Sequence, residues 1–426
     1  MAVVVARTTD TAASGSLSPA AVVIPGQNSL MSRIIGLFGS FREPNRPYNR
    51  IMTSYSPRWI WQRPGWPTFH WDEQALSTPL RECHLLQGKL LGLAGTVADD
   101  VEASQELDSL LRNVITSSAI EGETLNAASV RSSLARRLGV VTDTRGATPR
   151  SEGLASLMVD ATHGYDSPLD MARLLRWHVW LFPTGDSMLP SRIHVGELRG
   201  KEPMQVVSGR IDRPIVHFEA PPRDGLEEQL TAFLAWFDAS REDRTLDPLL
   251  RAGLAHFWFV TLHPFDDGNG RLTRALTDLA LAQAGHEAIR FHAMSVSILA
   301  DRQGYYDILK ASQKGGLDIT PWLLWFLTTL KDSLERALAQ IDRVLAKARF
   351  WNRHRADHLS AEQVKVLNRL LDGGERGFAH GISASQYGAV VGVSKATATR
   401  HLAELLDKGC LVRLPGGGRS TRYAIP

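Results

Sequence analysis

The run from His263 to Arg274 concentrates groups that can handle a phosphate. It reads His-Pro-Phe-Asp-Asp-Gly-Asn-Gly-Arg-Leu-Thr-Arg. A neutral histidine can accept a proton from a hydroxyl near pH 7. Gly268 and Gly270 allow positive φ angles, so the backbone N–H groups of the turn around Asn269 can converge on an anion. The apolar residues that follow predict a helix, whose N-terminus would stabilise a phosphate.

The other side chains of the run fit the same chemistry, although most have a plainer interpretation too. Asp267 would hold Mg²⁺ or simply cap the next helix. Arg271 and Arg274 share one helix face, where they would neutralise phosphates or be ordinary surface residues without a function. Phe265 is expected to anchor the loop in the core, and Asp266 to face solvent. A histidine that follows an apolar helix is usually a core residue, but the adjacent glycine turn favours a catalytic base.

The pattern His-x-Phe-x-Asp-Gly-Asn-Gly-Arg-x-x-Arg resembles the signature of the Fic (Fic/Doc) family, and every fixed position is filled. The resemblance implies a protein adenylyltransferase, which moves AMP from ATP to a Ser, Thr or Tyr hydroxyl of a protein target and releases pyrophosphate. It implies His263 as the base and Asp267 as the Mg²⁺ ligand. The phosphate-binding residues would be Gly268, Asn269, Gly270, Arg271 and Arg274. Tyr305 and Tyr306 would line the adenine pocket, although such a pair could equally belong to the core.

A second motif predicts how the site is restrained. Ser-Ser-Ala-Ile-Glu-Gly, from Ser117 to Gly122, resembles the inhibitory pattern Ser/Thr-x-x-x-Glu-Gly/Asn of the same family. The resemblance implies that Glu121 pairs with Arg274 and blocks the seat of the γ-phosphate. The alternatives are transfer of another nucleotide or of phosphocholine, removal of AMP, and a regulator that senses nucleotide and binds DNA.

The chain is long enough for two or three domains. Residues 1–51 are rich in Ala, Ser, Gly and Pro and are predicted to be a disordered extension. Residues 52–98 are predicted to form a small Trp-rich domain, similar to one that often precedes Fic cores. Its tryptophans favour a small aromatic core of extended chain, with a base-stacking surface as the alternative. They are Trp59, Trp61, Trp66 and Trp71.

Residues 99–348 are predicted to form the mainly α-helical Fic core, which includes the inhibitory helix. A β-hairpin flap is expected near 200–220, with Ser208-Gly209-Arg210 between its strands. In the family, the flap at this position holds the target by strand addition. Predicted helices lie near 99–116, 124–138, 151–163, 168–182, 224–240, 247–262, 271–284, 304–314 and 320–347, with Thr124 before the second and Gly139 after it.

Residues 349–426 resemble a winged helix-turn-helix with mixed α and β structure. In this segment Lys and Arg outnumber Asp and Glu by twelve to six, whereas the whole chain has a net charge of only +3. The residues expected to meet base edges are Lys395, Thr397, Thr399 and Arg400. DNA is therefore one predicted partner, and protein contact is the alternative for a domain of this type.

The remaining composition indicates a cytoplasmic protein. Cys83 and Cys410 lie far apart and show neither disulfide-framework nor zinc-ligand spacing, which favours a reducing compartment. No apolar run reaches the roughly 20 residues that cross a bilayer, and the start lacks the order of a signal peptide. No membrane partner is therefore expected. Relatives with an internal inhibitory helix often self-associate, so the resemblance also implies a homodimer, and the chain could be its own target.

Overall fold

The computed structural model describes residues 57–94, 99–140, 146–183, 193–210, 213–285, 293–373, 378, 380–415 and 421–426. These residues divide into two compact units. The first unit holds the described residues up to Gly88 and from 99 to Leu334. The second holds residues 89–94 and the described residues from Glu335 onward. The extension predicted for residues 1–51 lies outside the described part of the chain.

The first unit is mainly α-helical. A short 3-10 turn at Ile60–Gln62 comes first, and the β-hairpin lies between the helices Met171–Leu181 and Leu226–Ala239. The helices are α1 (Glu73–Ala94), α2 (Asp99–Ile120), α3 (Ala127–Arg137), α4 (Pro149–His163), α5 (Met171–Leu181), α6 (Leu226–Ala239), α7 (Pro248–Leu262), α8 (Asn269–Gly285), α9 (Met294–Ala300), α10 (Arg302–Lys314) and α11 (Thr320–Arg353), of which α1 and α11 continue into the second unit. The mainly α fold class is confirmed, and each helix predicted from Asp99 to residue 347 is found.

Two helices were missed, and one predicted helix cap was wrong. Helix α1 was not predicted, because Pro79 interrupts its pattern although it lies inside the helix. Helix α9 was missed because seven residues are too few to show a period. The cap of α3 is Asn126, whose side chain accepts a hydrogen bond from the Ser129 N–H at 3.0 Å, and not Thr124.

The predicted hairpin is present, but its strands are longer than expected. Strand β1 (Gln205–Arg210) pairs antiparallel with β2 (Arg213–Glu219), with a bulge between Val206 and Val207. Ser208-Gly209-Arg210, expected between the strands, therefore belongs to β1. The connection at 211–212 lies outside the described residues.

The hairpin is supported by the Trp-rich segment. Trp59 is 2% exposed and packs edge-on against Phe218, with ring centroids 5.4 Å apart. The indole N–H of Trp61 donates to the Glu219 carbonyl at 2.7 Å. A two-stranded hairpin is marginal alone, so these contacts supply the packing that it needs. Because Trp59 is buried, its ring offers no face on which a base could stack.

Helices α7 and α8 form the centre of the first unit. Every residue of α7 from Leu249 to Leu262 is buried, and so is nearly every residue of α8. The two helices are joined only by residues 263–268. This loop is therefore held at both ends by buried helices, which limits how far its side chains can move.

The second unit contains the end of α11 and three further helices, α12 (Ala361–Asp372), α13 (Ala384–Val391) and α14 (Lys395–Asp407). Gly392, with φ of 73°, turns the chain between α13 and α14. Two short antiparallel strands follow, β3 (Val412–Arg413) and β4 (Tyr423–Ala424). These elements agree with the mixed α and β structure predicted for residues 349–426, whereas the assignment as a winged helix-turn-helix stays a prediction.

Among the described helices, none combines the length and the apolar character that crossing a membrane requires.

Candidate active site

His263 ends helix α7 in the left-handed conformation, with φ of 49° and ψ of 57°. Its ring nitrogen Nδ1 lies 3.1 Å from the Val260 carbonyl oxygen. A carbonyl can only accept, so Nδ1 carries the proton and Nε2 keeps its lone pair. Burial lowers the pKa of His263, mainly through desolvation. The side chain is therefore neutral near pH 7 and presents one nitrogen as a proton acceptor.

The loop after His263 is pinned to the core through its backbone. Phe265 is fully buried and its ring stacks on His178, with centroids 4.2 Å apart. The Asn269 side chain accepts from the Phe265 N–H at 3.0 Å and donates to the Phe265 carbonyl at 2.8 Å. The prediction that Phe265 anchors the loop is confirmed. The Asn269 side chain is committed to the loop, so a phosphate could use only its backbone N–H.

Two further residues hold the same loop, and the sequence analysis missed both. Arg199 donates from its backbone N–H to the Pro264 carbonyl at 3.0 Å and from Nε to the His263 carbonyl at 2.9 Å. His178 Nε2 lies 3.3 Å from the Asp267 carbonyl, and burial lowers its pKa to about 4. Neither residue belongs to a motif, because their partners are backbone atoms distant in the sequence.

The glycines of the turn have two different tasks. Gly268 has φ of 82°, as the turn requires, whereas Gly270 lies in the first turn of α8 without a positive φ. The expectation that both would use positive φ was therefore wrong for Gly270. A Cβ atom at position 270 would collide with the Glu121 carboxylate. Gly270 thus leaves the space that the Glu121 carboxylate occupies beside the N-terminus of α8, where the first backbone N–H groups lack helical partners.

Arg274 is enclosed by the end of α2. Its Nη2 donates to Glu121 Oε1 at 2.9 Å and to the Ser117 carbonyl at 2.8 Å, and its Nε donates to Ser117 Oγ at 2.9 Å. Desolvation alone would lower the pKa of Arg274, but the Glu121 carboxylate outweighs it and the pKa is raised. The pairing of Glu121 with Arg274 that the motif predicted is present. Gly122, with φ of 83°, turns the chain directly after Glu121.

Arg271 also has a carboxylate partner, which the sequence analysis did not identify. Its Nη1 donates to Glu123 Oε2 at 2.7 Å. The other Glu123 oxygen contacts both Nε and Nη2 of Arg150, at the start of α4. Glu123 lies one residue beyond the inhibitory motif, and only its spacing of two from Glu121 could have drawn attention to it.

The two neighbouring aspartates differ sharply in exposure. Asp267 has a side chain that is 51% exposed; its Oδ1 accepts from the Gly268 N–H at 2.5 Å and lies 3.8 Å from Arg271 Nη2. Asp266, expected to face solvent, is instead buried and accepts from the N–H and Nδ1 of His194 at 3.0 and 2.6 Å. Asp266 is therefore structural. Asp267 keeps an accessible carboxylate oxygen beside the turn, which suits a hard cation such as Mg²⁺.

The tyrosine pair belongs partly to the core and partly to the site. Tyr305 is buried, and its hydroxyl lies 3.0 Å from His256 Nε2. Tyr306 is half-buried and donates to the Ile120 carbonyl at 3.2 Å, which ties α10 to the end of α2. Desolvation raises the pKa of both phenols, so both stay protonated.

One cavity of about 1240 Å³ brings these groups together. Its walls include the base, the glycine turn, both carboxylates of the α2 end, the tyrosines and the inner face of the hairpin; representative lining residues are His263, Gly268, Glu121, Glu123, Tyr306 and Ser208. The volume exceeds that of a typical small-molecule site. A nucleotide and a peptide segment between α8 and the hairpin could therefore be bound side by side.

The predicted DNA-contacting residues lie in the second unit. Lys395, Thr399 and Arg400 are exposed near the N-terminal end of α14. Thr397 is half-buried, and its N–H and hydroxyl both bond the Ser394 hydroxyl that caps the helix. Arg400 is 3.7 Å from Glu404 on the same helix. Three of the four side chains are thus accessible on one short helical segment.

Comparison with known proteins gives two family matches. Residues 59–140 match the family described as Domain of unknown function (DUF4172), and residues 168–281 match the Fic/DOC family. The second match includes His263, the glycine turn and both arginines, but not Glu121.

Individual proteins are also similar to this chain. The chain is 28% identical over 235 residues to Protein adenylyltransferase Fic from Nematostella vectensis, covering 54% of this chain and 49% of that protein. It is 28% identical over 234 residues to the protein of the same name from Aedes aegypti, covering 55% and 42%. The chain therefore spans at most about half the length of these relatives. A crystal structure of a Fic family protein from Desulfovibrio desulfuricans G20 is 20% identical, with a TM-score of 0.47 over 84% of this chain and 97% of that one. The domain at residues 168–281 therefore matches the Fic/DOC family.

Proposed function

We propose that this protein transfers AMP from ATP to a hydroxyl group of a protein target and releases pyrophosphate. The observation that carries the proposal is the convergence of a neutral histidine, a glycine-lined helix N-terminus and the buried Arg271 on one cavity, with Arg274 bonded to Glu121 of the cavity wall. These are a base, an anion cradle and charge neutralisation for a polyphosphate. The names of the relatives from N. vectensis and A. aegypti support the adenylyl group as the transferred group.

The proposed reaction is a displacement at the α-phosphorus. The hydroxyl oxygen of the target forms a bond to this phosphorus, and the bond from phosphorus to the bridging oxygen of the β-phosphate breaks. The hydroxyl proton goes to Nε2 of His263, which is the free nitrogen of this tautomer. The electron pair leaves with pyrophosphate, which the guanidinium groups of Arg271 and Arg274 stabilise.

Mg²⁺ fits the accessible carboxylate of Asp267. When bound there, the ion would neutralise phosphate charge, as it does in sites that use one or two carboxylates and the phosphates of the substrate. Tyr306 at the rim of the cavity is proposed to contact the adenine, whereas Tyr305 is enclosed behind it. The hairpin is proposed to hold the target segment by strand addition, because it borders the same cavity and Ile215 exposes 59% of its surface.

We further propose that Glu121 keeps the enzyme restrained. Its carboxylate occupies the space beside Gly270 and takes Nη2 of Arg274. A γ-phosphate seated on Arg274 would have to displace this carboxylate, because two anions cannot share the same donors. Breaking a buried Arg–carboxylate pair is costly unless the incoming anion replaces it.

The test is labelled AMP transfer by purified wild type, Glu121→Gly, His263→Ala and the double variant. ATP labelled on the α-phosphate is supplied with Mg²⁺, and protein-bound label is measured. Strong labelling by Glu121→Gly, at least about tenfold above wild type, is expected, with loss of label in both variants that lack His263. If ATP gives no protein label with Glu121→Gly, the adenylyl donor is wrong. If Glu121→Gly merely equals wild type, the restraint is wrong.

The tail favours a second candidate function, which is DNA binding. The exposed Lys395, Thr399 and Arg400 on one segment of α14 are the observation that favours it. In helix-turn-helix proteins this part of the second helix meets base edges in the major groove. The two functions are compatible in one chain.

A further inference from the structure

We infer that Glu123 is a second carboxylate restraint on the phosphate site, acting on Arg271 as Glu121 acts on Arg274. The inference rests on the proposed function, because it assumes that the two arginines bind a polyphosphate. It goes beyond the predicted inhibitory motif, which ends at Gly122.

The geometry of the α2 end places both carboxylates against α8. The positive φ of Gly122 reverses the chain, and the Glu123 N–H donates to the Ser118 carbonyl at 3.0 Å. Arg271 and Arg274 lie three residues apart and therefore share a helix face. A single short turn thus delivers one carboxylate to each arginine, at 2.7 Å for Arg271 and 2.9 Å for Arg274.

The ion pair between Glu123 and Arg271 is enclosed by protein and is not a solvated surface contact. Arg271 is 7% exposed, and its guanidinium lies over the Phe182 ring at 5.2 Å from the centroid. Surface ion pairs contribute little, but a pair with one nearly buried partner is screened much less by water. The contact is therefore strong enough to compete with a ligand for Arg271.

Arg271 also has an unfilled donor that points to an anionic ligand. Its Nε is buried and makes no hydrogen bond to any described residue. Buried donors normally have partners, and an orphaned one on a guanidinium is costly. A phosphate could accept from Nε and Nη together, which Glu123 does not do, because it takes only Nη1. In the present pairing, Nη1 of Arg271 has an acceptor but Nε does not, and a phosphate would supply the missing acceptor.

A second cation shares the Glu123 carboxylate. Arg150 holds the other oxygen of the same carboxylate and lines the cavity beside Arg271. When phosphate replaces Glu123 at Arg271, Glu123 can remain paired with Arg150 at the rim, or Arg150 can join the phosphate. Either way, the negative charge of Glu123 opposes the incoming phosphate, and removing that charge should strengthen nucleotide binding.

The experiment measures Mg-ATP binding by calorimetry in full-length protein that carries His263→Ala, so that no turnover occurs. Glu123→Gln is compared with the parent and with Glu152→Gln. Glu152 is a matched control: its side chain is 24% exposed, as is that of Glu123, and it pairs with Arg136 and Arg137 away from the cavity. Glu123→Gln is expected to lower the Kd for Mg-ATP by about tenfold, and Glu152→Gln to leave it unchanged.

Two outcomes would overturn the inference. The first is an unchanged Kd in Glu123→Gln, and the second is a weaker one, which would make Glu123 a structural tie between α2 and α4. If Glu123→Gln fails to fold, Glu123→Asp replaces it. The shorter side chain withdraws from Arg271, so binding should tighten by a smaller factor, and unchanged or weaker binding overturns the inference there too.

Failure of the proposed function gives a different pattern. If Glu121→Gly transfers no AMP but Glu123→Gln still tightens Mg-ATP binding, the second restraint stands and the transfer reaction is wrong. If Glu121→Gly transfers AMP and adding Glu123→Gln changes neither the KM for ATP nor the Kd, the reaction stands and the second restraint is wrong. When the transfer reaction and the second restraint are both right, the variant that combines Glu121→Gly with Glu123→Gln should show a lower KM for ATP than Glu121→Gly alone.

Discussion

At the scale of single residues, the proposed chemistry depends on which nitrogen of His263 carries the proton. The Val260 carbonyl fixes the proton on Nδ1, so Nε2 is the free nitrogen, and no carboxylate of the described residues forms a hydrogen bond or ion pair with this ring. A histidine with a carboxylate partner would have a raised pKa and would be partly protonated near neutral pH. Burial does the opposite here, since desolvation lowers the pKa of His263.

This difference predicts the pH profile of AMP transfer. The base must be neutral, so kcat should rise with pH on the acid side and be flat by pH 7. Because the pKa is lowered, the half-maximal point should lie below about 6.5, the ordinary value for histidine. The measurement is kcat of Glu121→Gly at saturating Mg-ATP between pH 5 and 8.

The matched control for this profile is His84→Gln in the same background. Hydrogen bonding to Asp247 raises the pKa of His84, so its titration would place a limb above 6.5. A midpoint above that value, or a limb that disappears in His84→Gln, would exclude His263 as the titrating group.

Sequence reasoning identified candidate residues that stand in a motif, and it missed candidate residues that are brought to the site only by folding. His263, Arg271 and Arg274 stand in a motif, and all three line or abut one cavity. Glu123, His178 and Arg199 were missed because their partners are 148 residues away, or are backbone atoms brought near only by folding. The prediction that Asp266 faces solvent was wrong for a related reason, because its burial depends on His194 from a distant segment.

At the scale of elements, the loop between α7 and α8 is rigid because the Asn269 side chain forms two hydrogen bonds to its backbone. Asn269 bonds both the N–H and the carbonyl of Phe265, and all of these groups are buried. The loop in turn sets where His263 and the Gly268 turn lie relative to each other. Precise placement of a base and an anion cradle is a large part of what such a site contributes to catalysis.

We therefore expect Asn269→Ala to damage binding as well as stability. It leaves a buried N–H and a buried carbonyl without partners, at a cost of about 1–3 kcal/mol each. The melting temperature should fall by several degrees, and Mg-ATP binding in the Glu121→Gly background should weaken by about tenfold or more.

Gln283→Ala is the control for this variant. Gln283 is buried on the same helix α8, and its side chain donates to the Tyr165 carbonyl at 3.0 Å, far along the helix from the loop. It should lower the melting temperature while leaving Mg-ATP binding intact. Equal binding losses in the two variants would mean that Asn269 contributes only general stability.

The elements themselves were largely predictable, and the exceptions have physical causes. Long amphipathic or apolar helices such as α7 were found because their pattern repeats over several turns. Helix α1 was missed because a proline inside a helix normally ends it. The packing of Trp59 on the hairpin could not be derived, because it joins residues 159 positions apart, and no local pattern encodes such a contact.

At the scale of the whole molecule, the described chain divides into a unit that holds the candidate active site and a second, more basic unit. The domain boundaries and the homodimer stay predictions, and so does the role of the tail. The core of the second unit includes Val366, Leu367, Tyr387 and Leu402 and fixes α13 and α14 relative to each other. Such a fixed pair is what a helix-turn-helix needs in order to present its second helix to a duplex.

The last prediction concerns this second unit and uses the full-length chain. A duplex selected from a random-sequence pool should bind wild type with an affinity that falls steeply with salt. Lys395→Ala and Arg400→Ala, which change exposed cations of α14, should weaken binding. If the substituted side chain contacts a phosphate, its loss should also reduce the slope of log K against log salt by about 1. Lys365→Ala removes an equal charge from the exposed surface of α12 and should change neither quantity beyond a small general effect. If selection enriches no duplex, or if all three variants weaken binding equally, then α14 does not read DNA, and protein contact becomes the remaining role for the tail.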